Sequence, residues 1–222
     1  MMPIARATHQ VTGHGGVALT VREYGRADGP PILLIHGWSQ CHLSWARQLT
    51  GPLAERFRLI VPDLRGHGSS AKHDATSAYD NSAPWDGDIA AIIDTLGLRN
   101  PLLVGWSMGG WVVQDYLRLH GEAAISGTVL IGTSLTTGKY GPAEAVALRK
   151  ADTAVAARAM LGDDLGASIE ATLAFLGACT AHPLPNRELA FMAAFNMLVP
   201  PHIRAACRMR SEDYRPDWQP LT

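Results

Sequence analysis

The chain is 222 residues long, 47% hydrophobic and 18% charged, with 19 Lys and Arg against 20 Asp and Glu. That is enough apolar sequence to bury a core, and it excludes a disordered or fibrous chain. A formal net charge of −1 without a basic run gives no electrostatic reason for a nucleic-acid or anionic-membrane partner. No apolar run approaches the roughly 20 residues of a membrane-spanning helix. Met1 to Gln10 carries Arg6 and His9 where a signal peptide would be apolar, so the expected location is the cytoplasm. Cys41, Cys179 and Cys207 are odd in number with no CxxC spacing, which reads as free thiols rather than a disulfide framework or a zinc cluster.

In chain order, the alternation between His9 and Glu23, turned at Gly13 to Gly16, predicts a hairpin of two edge strands. Continuous apolar runs follow at Pro31–Ile35, Phe57–Val61, Leu102–Val104 and Thr128–Ile131, which suits strands covered on both faces of a parallel sheet. Between them, Trp45, Leu49, Leu53 and Phe57 are spaced by four. Trp85, Ile89, Ile92, Ile93 and Leu96 follow a helical period, and Trp111, Val112, Asp115, Tyr116 and Leu119 start directly after Gly109-Gly110. Strand and helix alternating in this way predict an α/β fold with a doubly wound, mostly parallel sheet. After Thr133 the pattern changes to alanine-rich helical stretches, Ala143–Leu161, Ala167–Leu176 and Glu188–Met197, with Pro183, Pro185, Pro200 and Pro201 at the turns. The expected organisation is a core over residues 1–137, a helical cap over 138–215, and the start of further core at 216–222.

The strongest chemical signal is Gly105-Trp106-Ser107-Met108-Gly109, set between an apolar strand and a helix. A serine on so sharp a strand-to-helix turn is lifted out of the sheet, and the residues two before and two after it must lack a Cβ. Gly105 and Gly109 meet that need, and the helix start directs N–H groups to where an oxyanion would form. A second signal is His36-Gly37-Trp38 at the end of an earlier strand, a loop that can turn the Trp38 N–H toward the serine, with the Met108 N–H as the other donor. Asp63 to Ser70 reads as scaffold for the loops around the serine. Trp38 is expected at the pocket mouth, and Trp111, Met192 and Met197 in the core.

In order and separation these motifs resemble the α/β-hydrolase fold superfamily, from Val17 to Ser134 and on through a cap-like insertion. The resemblance implies Ser107 as nucleophile, Trp38 and Met108 as the oxyanion hole, and His36, Gly37, Gly105 and Gly109 as motif support. It implies an esterase-type hydrolase forming an acyl-enzyme on a small-molecule acyl substrate, with no metal or organic cofactor. The tryptophans of the two motifs are also similar to those of carboxylesterases that cleave methyl esters from carrier-bound acyl chains.

The family supplies its acid and its histidine from beyond the cap, and the sequence stops at Thr222. The expectation is a shortened chain lacking about 55 residues of final strands and helices. Two of three triad members would be missing, leaving it inactive or impaired, and Thr128–Ile131 would be an exposed sheet edge open to oligomerisation. His182 and His202 of the cap are the remaining candidates for a base. His9, His14, His42, His73 and His120 read as surface or turn residues, and Asp80, Asp86 and Asp88 as partners of a helix N-terminus. The alternative reading is a non-catalytic ligand-binding protein on the same fold.

Overall fold

A computed structural model describes residues 3–141 and 158–218. Six strands form one sheet in the order β1-β2-β4-β3-β5-β6: β1 (Ala7–Thr12), β2 (Ala18–Gly25), β3 (Pro31–Ile35), β4 (Arg58–Pro62), β5 (Leu102–Trp106) and β6 (Gly127–Ile131). The hairpin forms as expected, with Val11 opposite Leu19, but only β1 is an edge. β2 is interior, because it also pairs antiparallel with β4. The other four strands are parallel, and in the centre Ile32 sits between Leu59 and Leu102, Leu33 between Ile60 and Leu103.

The unbroken apolar runs have a direct cause. Successive side chains of β3 point to opposite faces, and both faces are covered. Ile32 and Leu34 join Trp45, Leu49, Val61 and Val104 on one side. Leu33 and Ile35 join Ile60, Leu103, Ile89 and Val112 on the other. Each such side chain, removed from water, contributes about 1.5–3 kcal/mol.

The helix expected from Trp45 to Phe57 is broken. A 3₁₀ turn at His42–Trp45 runs into α1 (Ala46–Leu49), and α2 (Pro52–Arg56) starts afresh after Gly51. Pro52 has no N–H to continue a helix and suits its first turn, so the four-residue spacing spans two short helices. Phe57 has already left α2, with extended backbone. Helices α3 (Ala83–Thr95) and α4 (Met108–His120) then pack together on the face that buries Trp85, Ile89, Ile92, Val112, Val113 and Tyr116.

Beyond the sheet lie α5 (Leu165–Ala178), α6 (Asn186–Asn196) and α7 (Pro201–Cys207). The first two match the expected alanine-rich stretches; α7 was read only as a proline-marked turn. Most of the expected helix Ala143–Leu161 lies outside the described residues. The segment after α7 is pinned to α4 by fully buried groups: Asp115 accepts from Arg210 Nη2 at 2.5 Å and from the Tyr214 hydroxyl at 2.7 Å. Among the described residues β6 has a strand on one side only, and Val129 and Ile131 are 40% and 42% exposed. No helix among them is long and apolar enough to cross a membrane.

Candidate active site

Ser107 stands between β5 and α4 with φ 53° and ψ −120°, a backbone region that side chains other than glycine rarely enter. Its N–H donates to Ile131 O at 2.8 Å, and its carbonyl accepts from Gly110 N–H at 2.9 Å, which fixes the turn from both ends. The glycines flanking it answer to close approach. A Cβ on Gly105 would lie 2.5 Å from Gly109 O and 2.6 Å from Gly110 Cα. One on Gly109 would come within 2.6 Å of His36 O and closer still to Ile35 O. The turn therefore closes only where strand and helix backbones can touch.

The loop after β3 runs alongside. A Cβ on Gly37 would lie 3.2 Å from Ser107 Cβ, so the two motifs are in contact. Neither the Trp38 nor the Met108 N–H is taken up by a backbone acceptor among the described residues. The Trp38 indole donates to Arg204 O at 3.0 Å, and the Ser39 hydroxyl to Asn196 O at 3.2 Å, tying this loop to α6 and α7.

His36 and His67 lie behind the loop, fully buried, their rings 5.2 Å apart. Nε2 of His36 accepts the Leu64 N–H at 3.0 Å, so its proton sits on Nδ1 and is given to Gly37 O at 2.9 Å. In His67, Nε2 accepts from the Ser39 N–H at 3.3 Å and Nδ1 donates to Arg65 O at 2.8 Å. Burial lowers the two to about 4 and about 3, so both are neutral with both nitrogens engaged. They hold loops and are not free to serve as a base.

The Asp63–Ser70 loop is scaffold, as expected. Buried Asp63 accepts from Arg22, from the His42 N–H and ring, and from the Ser69 N–H. Burial pulls its carboxyl upward, but those donors outweigh it and hold it below the usual range. His42 is thus no surface residue: its side chain is 12% exposed. Nor is Asp88 only a helix-dipole partner, since it forms a two-point ion pair with Arg65 at 2.7 and 2.6 Å.

A cavity of about 490 Å³ opens over Ser107. Trp38, Gln40, Trp106 and Trp111 line it from the sheet side, and Phe175, Met192, Cys179 and Cys207 from the helices beyond. Met192, expected in the core, is a wall residue here, and Trp111 packs against the core as expected while also lining the cavity. The placement of α5 to α7 decided this, and no spacing in the sequence carried it.

The α/β hydrolase fold family matches residues 30–196. The chain belongs to that family. A non-haem haloperoxidase of Rhodococcus erythropolis is 36% identical over 122 residues, 55% of this chain and 43% of that protein. A bifunctional esterase/perhydrolase of Acinetobacter calcoaceticus is 33% identical over 129 residues, 54% of this chain and 43% of that protein. An esterase from Rhodococcus sp. ECU1013 superposes with a TM-score of 0.83 at 32% identity, covering 93% of this chain and 74% of that one. The matched stretch thus spans less than half the length of these curated relatives.

No imidazole or carboxylate lines the cavity among the described residues. His182 and His202 are both exposed, and His202 lies 3.7 Å from Asp74 instead. One cluster has metal-ligand composition: Cys41, His42 and Asp63 bring ligand atoms within 4.8 Å of one another. It is unsuited to a cation, because the Arg22 guanidinium sits 2.8 Å from Asp63 and 3.2 Å from His42 Nδ1. Burial also pushes the Cys41 thiol up to about 12, away from the thiolate a metal needs.

Proposed function

We propose that this chain carries the acyl-transfer site of a serine hydrolase acting on carboxylic esters or related small-molecule acyl compounds. The Ser107 hydroxyl adds to the substrate carbonyl, whose oxygen becomes negative between the N–H groups of Trp38 and Met108. The alcohol leaves with the serine's proton, and water repeats the addition to release the acid. A donor of this kind contributes about 2.7–4 kcal/mol to the transition state. The observation that carries the reading is the strained backbone of Ser107 beside two N–H groups without backbone acceptors. In the same reading residues 138–215 act as the lid over the substrate, and the side of β6 that carries no strand among the described residues supports self-association.

With no base lining the cavity among the described residues, the hydroxyl keeps its proton. Loss of the histidine from a serine triad costs about 10⁶ in kcat, so the chain by itself is impaired. The lack of an imidazole or carboxylate among the described lining residues also favours a second reading, a ligand-binding protein that keeps the hydrolase fold without its catalysis. A fluorescent alkylphosphonate separates the two. Slow labelling at Ser107, absent in Ser107→Ala and accelerated by added imidazole, supports the hydrolase. A folded protein that stays unlabelled with and without imidazole is the ligand-binding form.

A further inference from the structure

The loop that presents Trp38 also carries Gln40, which lines the same cavity and is only 3% exposed. Its backbone N–H donates to Gly37 O at 3.3 Å, while its side-chain Oε1 has no partner among the described residues. A buried carboxamide oxygen left unpaired is destabilising, and a ligand that donates to it is one reason to retain it. The wall around it is mostly apolar, from Trp38, Trp106, Trp111, Phe175 and Met192, with Thr180 and Arg208 as further polar lining residues beside Ser107. A ligand matching that wall has a largely apolar body and a small polar group at Gln40.

Position narrows the choice. Gln40 is two residues from Trp38, a span of at most about 7 Å, so a group it meets lies near the carbonyl held by the Trp38 N–H. A hydroxyl suits a carboxamide because it both donates and accepts. We propose that Gln40 is a specificity residue selecting acyl compounds with a hydroxyl one or two carbons from the carboxyl carbon, that is, 2- or 3-hydroxy esters with an aryl or alkyl remainder. The proposal rests on the acyl-transfer reading of Ser107 for the placement of the carbonyl.

Binding tests it without requiring turnover, because three tryptophans line the cavity and report occupancy by fluorescence. Methyl mandelate and methyl phenylacetate differ by a single 2-hydroxyl. The unaltered protein is expected to bind one enantiomer of the mandelate about tenfold or more tighter. In Gln40→Met, which conserves volume, the preference disappears while methyl phenylacetate binds at least as well, which also reports that the variant is folded. Equal affinities in the unaltered protein, no saturable change with either ester, or a preference that survives Gln40→Met overturns the proposal. Alkylphosphonate labelling separates this failure from that of the hydrolase reading. Labelling with equal affinities removes only the Gln40 subsite; a mandelate preference without labelling removes only the acyl chemistry.

Discussion

Ser107 is held at a positive φ by its surroundings, at a cost of order 1–3 kcal/mol that the chain would not bear for packing alone. Ser107→Gly is therefore expected to raise stability by about 1 kcal/mol while abolishing phosphonate labelling; a urea midpoint that falls would contradict the strain argument. The opposite holds next door. Gly105→Ala forces a Cβ against the backbone of Gly109 and Gly110, where nothing can swing aside. A loss of at least about 1–3 kcal/mol is expected in the same denaturation experiment. These glycines were legible in the sequence because their spacing follows from the turn itself. Gln40 and Trp111 were not, since their meaning depends on which helix covers them.

At the scale of elements, the Arg210–Asp115–Tyr214 cluster decides how the chain after α7 returns to α4. Burial pushes Asp115 up to about 6, and the guanidinium and phenol beside it pull the other way. Arg210→Met strands a carboxylate in the core and is expected to cost about 3–5 kcal/mol. The double variant Asp115→Leu/Arg210→Met should recover most of that loss. Urea midpoints for the two singles and the double check this, and strict additivity would deny the coupling. Elements were read well wherever both faces of a strand or one face of a helix had to be apolar. The reading failed at Gly51-Pro52, where a four-residue period continued across a backbone break.

For the whole molecule, pH dependence follows from the buried histidines. His36 and His67 titrate lower in the folded state than in the unfolded chain, so between about pH 6.5 and their folded values the unfolded state binds more protons. Stability should fall as pH drops through that window. Asp115, raised by burial, works in the opposite sense below about pH 6, but two larger shifts oppose it. Urea midpoints taken from about pH 7.5 down to about pH 4.5 should decline throughout, and a flat profile would mean the imidazoles are not the buried neutral acceptors described. The exposed face of β6 gives a second expectation. Val129→Lys should reduce concentration-dependent association in sedimentation, because a charge on an unpaired edge opposes strand addition.

The sequence by itself determined the parallel β3–β6 core, the serine turn and its adjoining loop. Each of these rests on short-range constraints: unbroken apolar runs where both faces of a sheet are covered, and glycines where backbones must touch. It also marked His36 and His67 as loop-bound, though not that each accepts a backbone N–H. Only the tertiary structure decided that β2 is interior, that α5 to α7 wall the cavity, and that Asp88, Asp115 and Asp63 are consumed by ion pairs and loop hydrogen bonds. Those contacts join residues far apart in the chain, and their partners are selected by burial and geometry, which no local pattern records.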